Sequence, residues 1–205
     1  MVDLNNPYFS DIKEMKRKAD VEGLIQVLKH DEDALKREAA AIVLREIGDE
    51  KAIDTLVKHS LNDVEDVRRS AFRALVNLAD DVLFASMKVS RSATYLCTVD
   101  LPPERIEWPP NCCICLRPPQ VLKETLCTGL GPRIKSGLTY DRYLSVTRVT
   151  RVPYCQNCLH KTKKRFFSEK EGVQIELIEK YSKIVNTKIK FRNPLYAKKF
   201  LEINI

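Results

Sequence analysis

Between Asp20 and Asp80 apolar residues recur three and four positions apart, the spacing that lines one face of an α-helix. Val21, Leu24, Ile25 and Leu28 form one such stripe and predict a helix over about Val21 to Lys29. Leu35, Ala39, Ile42, Val43 and Ile47 form a second and predict a helix over about Ala34 to Ile47. Asp31 and Asp33 supply acceptors for the free N–H groups that open the second helix, and Gly48 suits its end. The pattern then returns at an offset of 32 residues: Leu24-Ile25 as Leu56-Val57, Asp31 as Asp63, Lys36-Arg37 as Arg68-Arg69 and Ala39 as Ala71. Ile53, Leu56, Val57, Val67, Ala71, Ala74, Leu75 and Leu78 carry the packing of this second helix pair. A stack of two repeats leaves an apolar face open at each end. A helix entered through Asn5-Asn6-Pro7, with Phe9, Ile12 and Met15, and the segment Val82 to Met87 are the expected covers. His30 and His59 fall in turn regions near acidic residues and are expected to be exposed polar residues.

Around Ser90 the period changes. Ala93 to Val99 has the composition of a strand, and the prolines from Leu101 to Pro110 exclude helix interior. Val121 to Cys127 and Tyr143 to Val152 have β-type composition, with Leu144, Val146, Val149 and Val152 as apolar positions. Gly129-Leu130-Gly131-Pro132-Arg133 is expected to be a flexible turn joining them; it lacks the Gly-Lys-Ser/Thr ending of a phosphate-binding loop. Val173 to Glu179 and Thr187 to Phe191 read as two further strands, although Val173, Leu177, Tyr181 and Ile184 also suit a helix. Asn193-Pro194 opens a last helix carrying Leu195, Tyr196, Phe200 and Leu201. The expectation is therefore an α+β multi-domain chain: N-terminal α-helical HEAT-like repeats over residues 1–86, then a smaller basic α+β zinc-binding domain with antiparallel strands over 87–205.

Two resemblances accompany these patterns. The stretch LIQVLKHDEDALKREAAAIVLREIGDEKAIDTLVKHSLNDVEDVRRSAFRALVNL, about sixty residues with its flanks, resembles HEAT-like repeats of the phycobilin-lyase type. That resemblance implies a packing and docking surface for protein partners. It does not extend to bilin chemistry, because nothing beyond the repeat matches a bilin site. The C-terminal KIKFRNPLYAKKFLEIN resembles the ending of zinc-knuckle domains with an F-x-N-x-x-Y-A-x-x-F-x-x-x-N pattern, which implies a fold and adds no chemistry.

The cysteines carry the strongest chemical signal. There are seven, an odd number that a closed set of disulfides would not consume. Cys112-Cys113-Ile114-Cys115 and Cys155-Gln156-Asn157-Cys158 are two C-x-x-C knuckles, 40 residues apart between Cys115 and Cys155, each entered from a proline. Two tight turns that each aim a pair of sulfurs at one point make a tetrahedral four-sulfur site, which points to one structural Zn²⁺ on Cys112, Cys115, Cys155 and Cys158. An iron–sulfur cluster can use the same four thiolates. Cys113, Cys127 and His160 are alternative ligands: Cys113 leaves one residue before Cys115, Cys127 sits in a predicted strand, and His160 follows Cys158 by two positions. A thioredoxin-like redox pair would place its C-x-x-C at a helix N-terminus after a strand within a βαβ unit, and no such alternation surrounds either pair.

Charge divides the chain in two. Met1 to Ala85 has 13 Lys/Arg against 18 Asp/Glu, whereas the remainder has 22 against 10, so the overall +7 belongs wholly to the second part. Lys161, Lys163, Lys164 and Arg165 precede Phe166 and Phe167, an arrangement suited to a nucleic-acid backbone and unpaired bases. The same run fits a solvated basic helix with its phenylalanines in the core. Lys188, Lys190 and Arg192 extend the basic set. No unbroken aliphatic run exceeds Ala39 to Leu44, and the first residues lack a basic and apolar leader, so a cytoplasmic protein without a membrane span is expected. No Ser/His/Asp set, HExxH or Gly-rich nucleotide motif is visible, and the three histidines are dispersed, so the chain is not expected to be an enzyme. The leading expectation is a noncatalytic adaptor that binds a protein partner through its repeats. The alternative is an RNA- or ribosome-associated protein using the basic domain.

Overall fold

The computed structural model describes residues 2–87, 94–136, 139–162, 173–180 and 183–205. The chain forms two compact units, Met1–Met87 and Lys88–Ile205. The second is the longer of the two, not the smaller one expected.

The first unit is all helix: α1 (Ser10–Lys18), α2 (Val21–His30), α3 (Ala34–Ile47), α4 (Ile53–Leu61), α5 (Glu65–Leu78) and α6 (Asp81–Ser86). Each boundary has a local cause. Asp20, Asp33 and Asp80 accept hydrogen bonds from the backbone N–H groups of Gly23, Leu35 and Leu83, and so open α2, α3 and α6. Gly48 closes α3 at φ 81°, a left-handed conformation in which its N–H reaches Leu44 O. Most predicted stripe positions form the core: Leu24, Leu28, Ala39, Val43, Leu56, Val67, Ala71 and Leu75 are fully buried, joined by Leu44, whereas Leu35, expected in the α3 stripe, is 53% exposed at the first turn of its helix. Both predicted end covers exist. Phe9 and Ile12 bury one end, and at the other Phe84 of α6 meets Phe72 of α5 edge-on, with ring centroids 5.7 Å apart.

The 32-residue repeat is tied across its units. Arg37 donates from Nε and Nη2 to the two carboxylate oxygens of Asp63, at 3.0 and 2.7 Å, and from Nη1 to the carbonyls of Asp31 and Glu32. Arg69, its counterpart one repeat on, pairs with Asp66 at 2.9 Å and reaches back to the buried Glu38. His59 departs from expectation. It is buried in the last turn of α4, four residues before Asp63, with Nδ1 2.8 Å from Asp63 Oδ2, the carboxylate that Arg37 also bonds. His30 is exposed.

The second unit is built on a five-stranded sheet in the order β1-β5-β4-β2-β3: β1 (Tyr95–Val99), β2 (Val121–Ser136), β3 (Thr139–Tyr154), β4 (Val173–Lys180) and β5 (Lys183–Phe191). Among the described residues two helices complete it, α7 (Gln156–Thr162) and α8 (Pro194–Asn204). Across β1, β5 and β4 the register aligns three buried rows: Tyr95, Phe191 and Val173; Cys97, Ile189 and Ile175; Val99, Thr187 and Leu177. Helix α8 lies against this face, where Cys97 Sγ is 4.0 Å from Ala197 O. Phe191, Phe200 and Trp108 form an aromatic cluster beside it.

The predicted glycine turn is absent. Gly129 to Arg133 lies within β2, where the pairing to β3 shifts register between Gly129 and Leu130 and again between Leu130 and Arg133. Glycine and proline here mark strand irregularities instead of a chain reversal, so β2 and β3 are 16 residues each and run well beyond the Val121–Cys127 and Tyr143–Val152 expected. Only β2 and β4 run parallel, meeting at Thr128↔Glu176 and Gly129↔Leu177; the other strand pairs are antiparallel.

Candidate metal centre

The two knuckles sit at the open end of the β2–β3 hairpin. Cys112 and Cys115 lie in the turn before β2, and Cys155 directly follows Tyr154, the last residue of β3. Backbone bonds hold the two ends together: Cys113 N–H donates to Pro153 O at 3.1 Å and Gln120 N–H to Tyr154 O at 2.9 Å. The Gln120 side chain accepts from Gln156 N–H, the first residue of α7. The pairing of Val121 with Tyr154 thus brings Cys115 and Cys155, 40 residues apart in the chain, face to face.

Each knuckle has its own local reason. In the first, Leu116 N–H returns to Cys112 O at 3.0 Å and Cys112 N–H to Arg117 O at 2.8 Å. This turn forces Leu116 to φ 62°, a left-handed conformation that costs a branched side chain about 1 kcal/mol. In the second, Cys155 stands at the start of α7 and Cys158 in its first turn, with Leu159 N–H closing on Cys155 O. This pair does follow a strand and open a helix, contrary to the sequence expectation, but two further cysteines face it.

The four sulfurs of Cys112, Cys115, Cys155 and Cys158 lie within 4.8 Å of one another, and Cys115 Sγ is 3.6 Å from Cys155 Sγ. Tetrahedral ligation with metal–sulfur bonds of about 2.3 Å separates sulfurs by about 3.8 Å, so the set fits a single four-coordinate ion with little rearrangement. Three of the four are buried and Cys115 is half-buried. Burial would raise the Cys115 thiol. The Arg117 backbone N–H and the thiols of Cys155, Cys158 and Cys112 oppose that and bring it down to about 7. Burial and its bonds to Cys115 and Cys155 push Cys158 up. The Arg117 guanidinium also bonds Cys115, placing one positive charge beside the sulfurs.

The other nominated ligands lie elsewhere. Cys113 is buried beside Tyr154 and Tyr196, and burial pushes its thiol well up. Cys127 is buried in β2, where burial raises it to about 11. His160 is exposed on α7. Among the described residues, only the four knuckle cysteines form a group of three or more potential ligands.

The C-terminal pattern turns out to support the first knuckle, a role its sequence did not disclose. Asn193 accepts from Tyr196 N–H to start α8, and its amide donates to Ile114 O inside the knuckle at 2.9 Å. Tyr196 Oη donates to Pro109 O at 3.4 Å. Asn204 accepts from Glu107 N–H at 3.0 Å and donates to Glu107 O at 2.8 Å, as a neighbouring strand would. With Phe191 and Phe200 in the aromatic cluster and Ala197 against Cys97, every defining position of that pattern anchors the 107–116 segment or the core behind it.

Of the basic residues nominated for nucleic acid, four lie within the described residues, Lys161, Lys188, Lys190 and Arg192. Lys163, Lys164 and Arg165, with Phe166 and Phe167, lie outside the described residues, and Lys161 lies on α7. Lys188 and Lys190 share one face of β5. Lys188 is ion-paired with Glu176 at 3.1 Å, with its side chain 13% exposed, and Lys190 and Arg192 are half-buried.

A family model of HEAT repeats matches residues 12–87, from α1 through the end of the helical unit. The N-terminal unit is thus a HEAT-repeat array joined to an α+β unit that brings four cysteines together. Comparison with curated proteins and with solved structures returned no match. No described helix is long and apolar enough to cross a membrane.

Proposed function

We propose that the protein is a noncatalytic adaptor. In this reading its HEAT array docks a protein partner, while one structural Zn²⁺ on Cys112, Cys115, Cys155 and Cys158 holds the second unit in shape. The observation that carries the metal assignment is the convergence of four sulfurs within 4.8 Å at the root of one hairpin. In a polynuclear iron–sulfur cluster the four thiolates are divided among two or four irons and so spread wider than around one ion, and this spacing favours a single ion. Four sulfur ligands favour Zn²⁺ and leave no open coordination position for substrate, which supports a structural role. Reduced thiols suit a cytoplasmic setting. The adaptor role rests on the general use of stacked helical repeats as protein-binding surfaces.

Elemental analysis of protein purified without added metal tests the site, with one zinc per chain expected. Less than about half an equivalent of any metal, together with an intact fold in chelator, overturns it. Affinity capture by the full chain tests the adaptor role. A specific protein partner that persists after nuclease treatment is expected; recovery of nucleic acid alone overturns it.

A further inference from the structure

The seven cysteines of the chain differ in their access to solvent. Cys97, Cys112, Cys113 and Cys127 are fully buried, and Cys155 and Cys158 are 6% and 7% exposed. Cys115 alone is half-buried. The exposed Arg117 guanidinium bonds it, so its open side is polar. Oxidation of a cysteine follows its thiolate character and its access to the oxidant. Ligation to Zn²⁺ holds all four knuckle sulfurs as thiolates, so access decides which of them a dissolved oxidant reaches first. That sulfur is Cys115.

A partner for the oxidised sulfur stands beside it. Cys115 Sγ is 3.6 Å from Cys155 Sγ, and a disulfide requires the two to close to about 2 Å. The backbone around them is already tied, by Cys113 N–H to Pro153 O and by Gln120 N–H to Tyr154 O. On the zinc reading above, we infer that Cys115 is an oxidation site for a small hydroperoxide, and that it then forms a disulfide with Cys155 and releases the ion. With hydrogen peroxide, the Cys115 thiolate first attacks one peroxide oxygen: an S–O bond forms, the O–O bond breaks and hydroxide leaves. The Cys155 thiolate then attacks the Cys115 sulfur: an S–S bond forms, the S–O bond breaks and a second hydroxide leaves. Two protons from solvent turn both hydroxides into water, so one peroxide is reduced as two thiolates are oxidised to one disulfide. Cys112 and Cys158 are then the only ligands left, too few for a four-coordinate ion. Cys115 precedes β2 and Cys155 follows β3, so their disulfide closes the same loop that the ion had closed. A disulfide within either knuckle would leave that loop open.

The test uses the full chain, its zinc content measured beforehand, with hydrogen peroxide as the oxidant. A weak chromogenic chelator reports zinc release, mass spectrometry of unreduced peptides maps disulfides, and dimedone captures sulfenic acid. Zinc release in step with the loss of two thiols per chain is expected, with Cys115–Cys155 the first disulfide and the dimedone adduct on Cys115. Cys115→His keeps four ligands but removes the attacked sulfur, and should slow release at least about tenfold. A first disulfide within one knuckle, a first oxidation at any other cysteine, full retention of zinc by the parent, or release at the parent rate from Cys115→His overturns the inference. If Cys115→His holds no zinc, the first disulfide of the parent chain decides the matter. Protein that carries no metal before peroxide is added overturns the zinc assignment instead, and its disulfide map still decides whether Cys115 pairs with Cys155.

Discussion

The two units reach stability by different routes. The helical array is held by repetition: each stripe of apolar residues meets the next, and Arg37 bridges one repeat to Asp63 of the following one. The second unit joins its ends by long-range pairing, with β1 on β5 and the knuckles 40 residues apart, so its contacts must overcome a larger loop-closure entropy. A metal ion bound by the four cysteines at the hairpin root would close one such loop directly. Left-handed residues occur in both units. The array has Gly48 at φ 81° and Ala19 at φ 52°, and the first knuckle imposes the conformation on Leu116 at φ 62°. About 1 kcal/mol of strain is small beside the order of 10 kcal/mol that a structural zinc supplies.

The sharpest break in this comparison is loss of the metal. Cys155→Ser, or strong chelation, removes a term comparable to a domain's whole stability of about 5–15 kcal/mol. Two-dimensional amide NMR spectra should then lose the dispersed resonances of the sheet and keep those of residues 12–78. Loss of both sets together would show that the array cannot fold without its neighbour.

The next effect is confined to the array. Arg37→Ala leaves Asp63 buried and short of its main partner, and should cost about 3 kcal/mol, read as a lower melting temperature with metal content unchanged. Burial raises the Asp63 carboxyl, but the bonds from Arg37, His59 and Val64 N–H outweigh it and hold the group below its usual range. A carboxyl depressed by folding contributes stability that is fully present above its unfolded value of about 4 and is lost as the pH falls through the folded value. Acid titration followed by far-UV circular dichroism should show this loss, and Asp63→Asn should flatten it.

The smallest expected effect is at Gly48. A Cβ there meets nothing within 4 Å, so Gly48→Ala carries only the backbone penalty of a left-handed alanine, about 1 kcal/mol. A thermal melt that shifts by several times that amount would mean the helix end makes contacts beyond its cap.

Much of the array was legible because its determinants are local. Helix α3 runs Ala34–Ile47 as its stripe predicted, Asp33 and Gly48 cap it, and both end covers appear. His59 was misread because its burial depends on where the turn of its repeat folds. The knuckle spacing likewise nominated four cysteines that meet in space.

What the sequence determined by itself was helical periodicity, helix ends, the charge division and the cysteine pairs, all of which act over a few residues or need only counting. Only the tertiary structure decided which strands pair, that Gly129 to Arg133 continues a strand, and that Asn193 and Asn204 brace the knuckle segment. Strand pairing is non-local, and its register depends on both partners at once, so neither strand carries it alone.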